Sequence, residues 1–139
     1  MSPGIIHSVS VFRCIFVAMA KTLLLVALGG GLGSALRFAI SYYFKDVLQM
    51  KWPVITLIIN ILGSLLIGIL LAYYTKQAHW SKELLVAGFC GWFTTFSAFS
   101  YENVYLLQQG QIIQALMYML FSCVLGIACC ALGWYLFQA

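Results

Sequence analysis

Four stretches of this chain are almost unbroken in apolar residues: 22–44, 54–75, 84–107 and 112–137. Each is long enough to cross a hydrocarbon layer, which takes about 20 apolar residues wound as a helix. Polar residues collect between them. The first connection, 45–53, holds Lys45, Asp46 and the Trp52-Pro53 pair; the second, 76–83, holds Lys76, His79 and Ser81; the third is Gln108-Gln109-Gly110-Gln111. Connections this short make neighbouring spans antiparallel, so the pattern predicts a small bundle of four transmembrane helices.

Residues 1–18 fit the pattern poorly. Ser2-Pro3-Gly4 precedes a modest apolar run that Arg13 interrupts. A signal peptide has the opposite order, cations first and then an unbroken apolar core. Met19-Ala20-Lys21 reads like a natural start. Two units are therefore expected: 1–18, an upstream extension or loose interfacial segment, and 19–139, the membrane domain.

The third span contradicts itself in its middle, Gly88-Phe89-Cys90-Gly91-Trp92-Phe93-Thr94-Thr95-Phe96-Ser97-Ala98-Phe99-Ser100. Glycines together with β-branched and hydroxyl residues are poor helix material. A helix broken at membrane depth is tolerated only where protein or a wet cavity satisfies its backbone. Such breaks often build ion sites from freed carbonyls and helix ends. An unbroken helix with polar packing residues is the competing reading.

Helical spacing places Thr56, Asn60, Ser64 and Gly68 on one face of the second span. It places Tyr118, Ser122 and Gly126 on one face of the fourth. Asn60 can donate to an anion, although small polar residues also serve simply to pack membrane helices together. The Gly29/Gly33 pair in the first span invites the same close packing. Phe96 and Phe99 share a face. They either pack in a core or turn electropositive ring edges toward an anion. Arg37 lies within the first span and is a functional candidate there, unless its stem lifts the guanidinium to the interface.

Composition removes whole classes of function. Hydrophobic residues make up 64% of the chain and charged residues 7%, against about 45–50% and about 25% in soluble domains. Mean hydropathy is +1.03. A soluble enzyme, a disordered chain and a secreted disulfide scaffold are all excluded. The net charge of +4 comes from scattered cations that form no stripe for nucleic acid. Cys90, Cys123, Cys129 and Cys130 lie in apolar segments without metal-ligand spacing and read as packing residues. No nucleophile–base set exists, because His7 and His79 fall outside the spans. Glu102 is the one acid late in a span; it reads as peripheral and structural, which weakens a proton-coupled exporter.

With four spans, both termini and the middle loop share one side. That side carries four cations (Arg13, Lys21, Lys76, Lys82) against two (Lys45, Lys51) on the other. A start at Met19 reduces the contrast to three against two. So weak a bias gives little preference for either orientation, as in a dual-topology protein whose copies insert both ways.

Three stretches together resemble the Fluc/CrcB fluoride channels: Gly29-Gly30-Gly31-Leu32-Gly33-Ser34-Ala35-Leu36-Arg37-Phe38, Thr56-Leu57-Ile58-Ile59-Asn60-Ile61-Leu62-Gly63-Ser64, and the third-span motif from Gly88 to Ser100. The resemblance runs from Met19 to the C-terminus. It implies an all-α integral membrane protein whose third helix is broken at its middle, assembled as an antiparallel dual-topology homodimer in a plasma or inner membrane. It implies passive export of fluoride through two pores per dimer, with membrane lipid around them. By resemblance, Phe96, Phe99, Asn60, Thr95, Tyr118 and Ser122 line the pore, while Arg37 and Thr56 serve its vestibule. Also by resemblance, the backbone carbonyls of Gly91 and Thr94 hold a structural Na+ at the dimer interface. Two residues depart from the family pattern: Trp92 stands where a second glycine is usual, with lipid or the second span as its expected neighbour, and Gly126 stands where relatives can carry a hydroxyl. The remaining alternatives are a small dimeric multidrug or cation exporter and a non-transporting membrane assembly subunit.

Overall fold

A computed structural model describes residues 3–75 and 80–138, apart from the side chains of 3–11, Cys14 and Trp52. Lys76 and His79 lie outside the described residues. Helix α1 runs Pro3–Tyr42 and ends in a π-helical turn, Tyr43–Val47. Helix α2 is Trp52–Tyr74, with Pro53 in its first turn, where a missing N–H costs nothing. A π-helical segment, Glu83–Cys90, runs into the short α3, Gly91–Phe93. Helix α4 is Phe96–Gln108 and helix α5 is Ile112–Phe137.

Among the described residues, four regions are long and apolar enough to cross a membrane: Ile15–Val47, Pro53–Tyr74, Glu83–Gln108 and Ile112–Phe137. The last three match the apolar runs closely. The first helix begins far upstream of residue 22. Its 40 residues make it about 60 Å long at 1.5 Å per residue, about twice the hydrocarbon thickness. Ala20-Lys21 are good helix formers, and nothing local stops the helix there.

Thr94 (φ −75°, ψ 151°) and Thr95 (φ −143°, ψ 113°) are extended between α3 and α4. The chain turns from α4 into α5 at Gly110, whose φ of 73° suits a residue without Cβ.

Two close helix pairings organise the bundle. α1 packs on the Glu83–Cys90 segment through glycine, and a Cβ on Gly29 would run into the carbonyl oxygen of Leu84. α2 packs on α5, where a Cβ on Gly68 would run into the carbonyl oxygen of Cys130. Small residues thus let backbones touch, the usual basis of helix association in lipid. α2 lies at the centre. Ile55 and Ile59 pack with Phe93 on one flank, and Leu57 joins Leu106, Ala115 and Tyr118 on the other.

Trp92 is 59% exposed, and its indole ring lies against Gly30 of α1. Its exposure agrees with the expected lipid neighbour, and the first helix is a protein neighbour that the sequence did not name. A glycine at 30 leaves the flat ring room that any Cβ would take.

Candidate functional site

The polar stripe of α2 faces α4 and α5, and each member has a distinct neighbour. The Thr56 hydroxyl donates to Oε1 of Glu102 at 2.6 Å. Asn60 meets the backbone of Thr95: its Oδ1 accepts the Thr95 N–H at 2.9 Å, and its Nδ2 donates to the Thr95 carbonyl at 3.4 Å. Ser64 sits near Gly126, 3.6 Å from where a Cβ there would stand. Gly68 is the α5 packing point.

On α5, the Tyr118 hydroxyl donates to Oε2 of Glu102 at 2.7 Å. Glu102 is therefore neither peripheral nor turned to the interface. It is 4% exposed, and three helices converge on its carboxyl group. Phe99, Glu102 and Leu106 fall at helical spacing and share a face whose direction spacing alone does not set; in the fold Leu106 on that face is core.

Two cavities flank this seam. One, of about 280 Å³, is lined by Arg37, Lys45, Asp46, Thr56, Thr95 and Glu102 among others. The other, of about 370 Å³, is lined by Asn60, Ser64, Thr94, Thr95, Phe96, Phe99, Ser122, Cys123 and Gly126 together with Ile67. Thr95 lines both. Among the described residues, no acidic or basic side chain lines the second cavity, whereas both signs line the first. In a low-dielectric surrounding, such an uncharged wall interacts with an ion through dipoles and ring quadrupoles.

Most of the expected pore residues thus come together. Asn60, Thr95, Phe96, Phe99 and Ser122 surround the second cavity, and Arg37, Thr56 and Thr95 line the first. Tyr118 stands behind the seam, packed on Phe99 with ring centroids 5.1 Å apart. Phe96 and Phe99 have centroids 5.7 Å apart, tilted by 37°. Phe96 is 79% exposed on the single chain. Among the described residues, three side-chain polar atoms are buried without a hydrogen-bond partner: Nε of Arg37, Oδ1 of Asn103 and Oγ of Ser122. Ser41, Ala98 and Ser64 are lining residues to which the sequence assigned no site role.

Gly91 and Thr94 line no part of the first cavity, and only Thr94 lines the second. Their backbone is nonetheless distinctive. In an unbroken helix the Thr95 N–H would close on the carbonyl of Gly91; here it closes on Asn60. The ψ of 151° at Thr94 swings that residue's carbonyl out of helical register. Backbone carbonyls are hard oxygen donors, of the kind that suits a small hard cation. Among the described residues no group of three or more His, Cys, Asp or Glu side chains could hold a metal.

Comparison with known proteins matches residues 24–134 to the family model described as CrcB-like protein, Camphor Resistance (CrcB). The chain is 44% identical over 110 residues to the fluoride-specific ion channel FluC of Flavobacterium psychrophilum, covering 77% of this chain and 89% of that protein. It is 46% identical over 112 residues to FluC of Leptospira interrogans, covering 78% and 87%. It is 41% identical over 125 residues to FluC of Salmonella arizonae, covering 87% and 97%.

Proposed function

The chain belongs to the CrcB-like family of multi-pass membrane proteins, and from that premise we propose that it is a fluoride-selective passive channel of the plasma or inner membrane. The observation that carries this reading is the pair of cavities that share Thr95, one beside Arg37 and the other walled by phenylalanine rings and uncharged donors.

The chemistry follows from the ion. Fluoride is small and strongly hydrated, so a pore must replace its water without binding it too tightly to leave. Arg37 presents positive charge at the first cavity. Beyond Thr95, the ring edges of Phe96 and Phe99 and the Ser122 hydroxyl replace water with weak, multiple contacts. The unpartnered Ser122 Oγ supports its use as a donor. The Tyr118 hydroxyl is engaged by Glu102, so its role is to fix the wall behind Phe99. A passive pore needs no coupling acid: fluoride enters cells as HF, ionises at neutral pH, and leaves through the channel down its gradient.

In this reading the extended pair Thr94–Thr95 is a break in the third span at membrane depth. Two copies face each other in antiparallel orientation, and the second copy covers the exposed Phe96 and closes two pores. The carbonyls of Gly91 and Thr94 from both copies would hold the structural Na+, which supplies positive charge and pins the interface.

The buried Glu102 supports a second reading, a proton-coupled cation exporter, because it is an acid embedded between spans. The two readings separate in cells. Expression in a bacterium lacking its own fluoride exporter should restore growth in fluoride, and Glu102→Gln should keep that rescue. Unrelieved fluoride toxicity with cation resistance that Glu102→Gln abolishes would favour the exporter.

A further inference from the structure

The side-chain amide of Asn60 is committed to the backbone of Thr95. A backbone N–H only donates, so the atom 2.9 Å from the Thr95 nitrogen is the Asn60 oxygen, and the amide's orientation is fixed. Its nitrogen then leans on the Thr95 carbonyl at 3.4 Å. The partner belongs to α2, 35 residues earlier in the chain. The side chain of Thr95, the residue preceding α4, makes no capping hydrogen bond and meets the Ser97 hydroxyl at 3.2 Å. Within a membrane an extended residue must find such partners in neighbouring protein.

Thr95 is also the residue that both cavities share. The next residue is Phe96, and Phe99 follows one turn later on the same helix. The position of Thr95 therefore sets both the wall that the cavities share and the place from which α4 presents its two rings.

We infer that Asn60 is a positioning residue. It acts on the permeating ion through Thr95, by holding the shared wall and the start of α4 in place, beside any contact that its second N–H makes with the ion. The inference rests on the channel reading above and changes one residue's role within it, since the family resemblance makes Asn60 part of the ion-contacting wall.

The test is a double-mutant cycle on reconstituted full-length protein. Its members are wild type, Asn60→Ala, a Thr95 backbone ester that replaces the N–H with oxygen, and the two changes together. Fluoride and chloride release are measured per folded channel. Each single change should lower fluoride release about tenfold or more and reduce the fluoride-to-chloride ratio alike. The double should lie within about twofold of the worse single, because both remove one bond. Effects that multiply, or an ester channel at wild-type rate, would overturn the inference. A second measurement needs no ester: hydrogen exchange at the Thr95 amide, read by NMR on threonine-labelled protein in nanodiscs. Exchange should be about tenfold faster in Asn60→Ala, as expected for loss of its acceptor; equal rates would overturn the inference. Wild-type protein that releases no fluoride removes the channel reading itself, a failure distinct from multiplying effects in a protein that conducts.

Discussion

The Tyr118 hydroxyl of α5 donates to the Glu102 carboxyl of α4 at 2.7 Å, and the other carboxyl oxygen accepts from Thr56 of α2 at 2.6 Å. One acid thus ties three spans at a buried point. Replacing Glu102 with Ala leaves two hydroxyls without their acceptor. Interhelical hydrogen bonds in membranes average about 0.6 kcal/mol, so the loss is about 1 kcal/mol. Glu102→Gln keeps an acceptor and should lose less. Thermal unfolding in detergent should rank wild type above Gln above Ala; equal stability of Ala and wild type would remove the tie.

The two phenylalanines should separate stability from conduction. Phe96→Ile touches a ring that is 79% exposed on the single chain and should leave folding nearly unchanged. Phe99→Ile also removes the ring contact with Tyr118, worth about 0.5–1.5 kcal/mol beyond its area. Each should cut fluoride release about tenfold or more, which is about 1.4 kcal/mol on the barrier. Unchanged release from both folded variants would end the ring-edge role.

Glycine packing gives a paired prediction. Gly68→Ala drives a methyl group into the Cys130 carbonyl, whereas Gly31→Ala meets nothing within 4 Å. Overpacking of this kind costs about 1–3 kcal/mol. Gly68→Ala should lower the yield of folded protein on gel filtration, and Gly31→Ala should match wild type.

Arg37→Gln should slow fluoride release, and more so at low salt. A charge at a cavity mouth raises entry rates about tenfold or more when unscreened, and the advantage shrinks as ionic strength rises. A deficit independent of salt would mean that Arg37 acts through packing instead.

The four spans were legible because apolar runs and short polar connections leave few other arrangements. The α2 stripe was legible for the same reason, since spacing alone puts Thr56, Asn60 and Ser64 on one face. The inward turn of Glu102 was not. Its direction depends on the rotation of α4, and the extended pair Thr94–Thr95 resets the helical phase relative to the segment before it. The partner of Asn60 was hidden likewise, because it is a backbone group and no side-chain pattern announces it. The contact of Trp92 with α1 went unseen because Gly30 makes room for it from another helix.

Fluoride efflux from liposomes bearing the purified protein tests the central claim most directly. Valinomycin carries potassium out to balance charge, and fluoride and chloride electrodes record in parallel. Fast fluoride release with little chloride release is the predicted result. No release of either ion from protein shown to be folded, or equal release of both, would contradict a fluoride-selective channel.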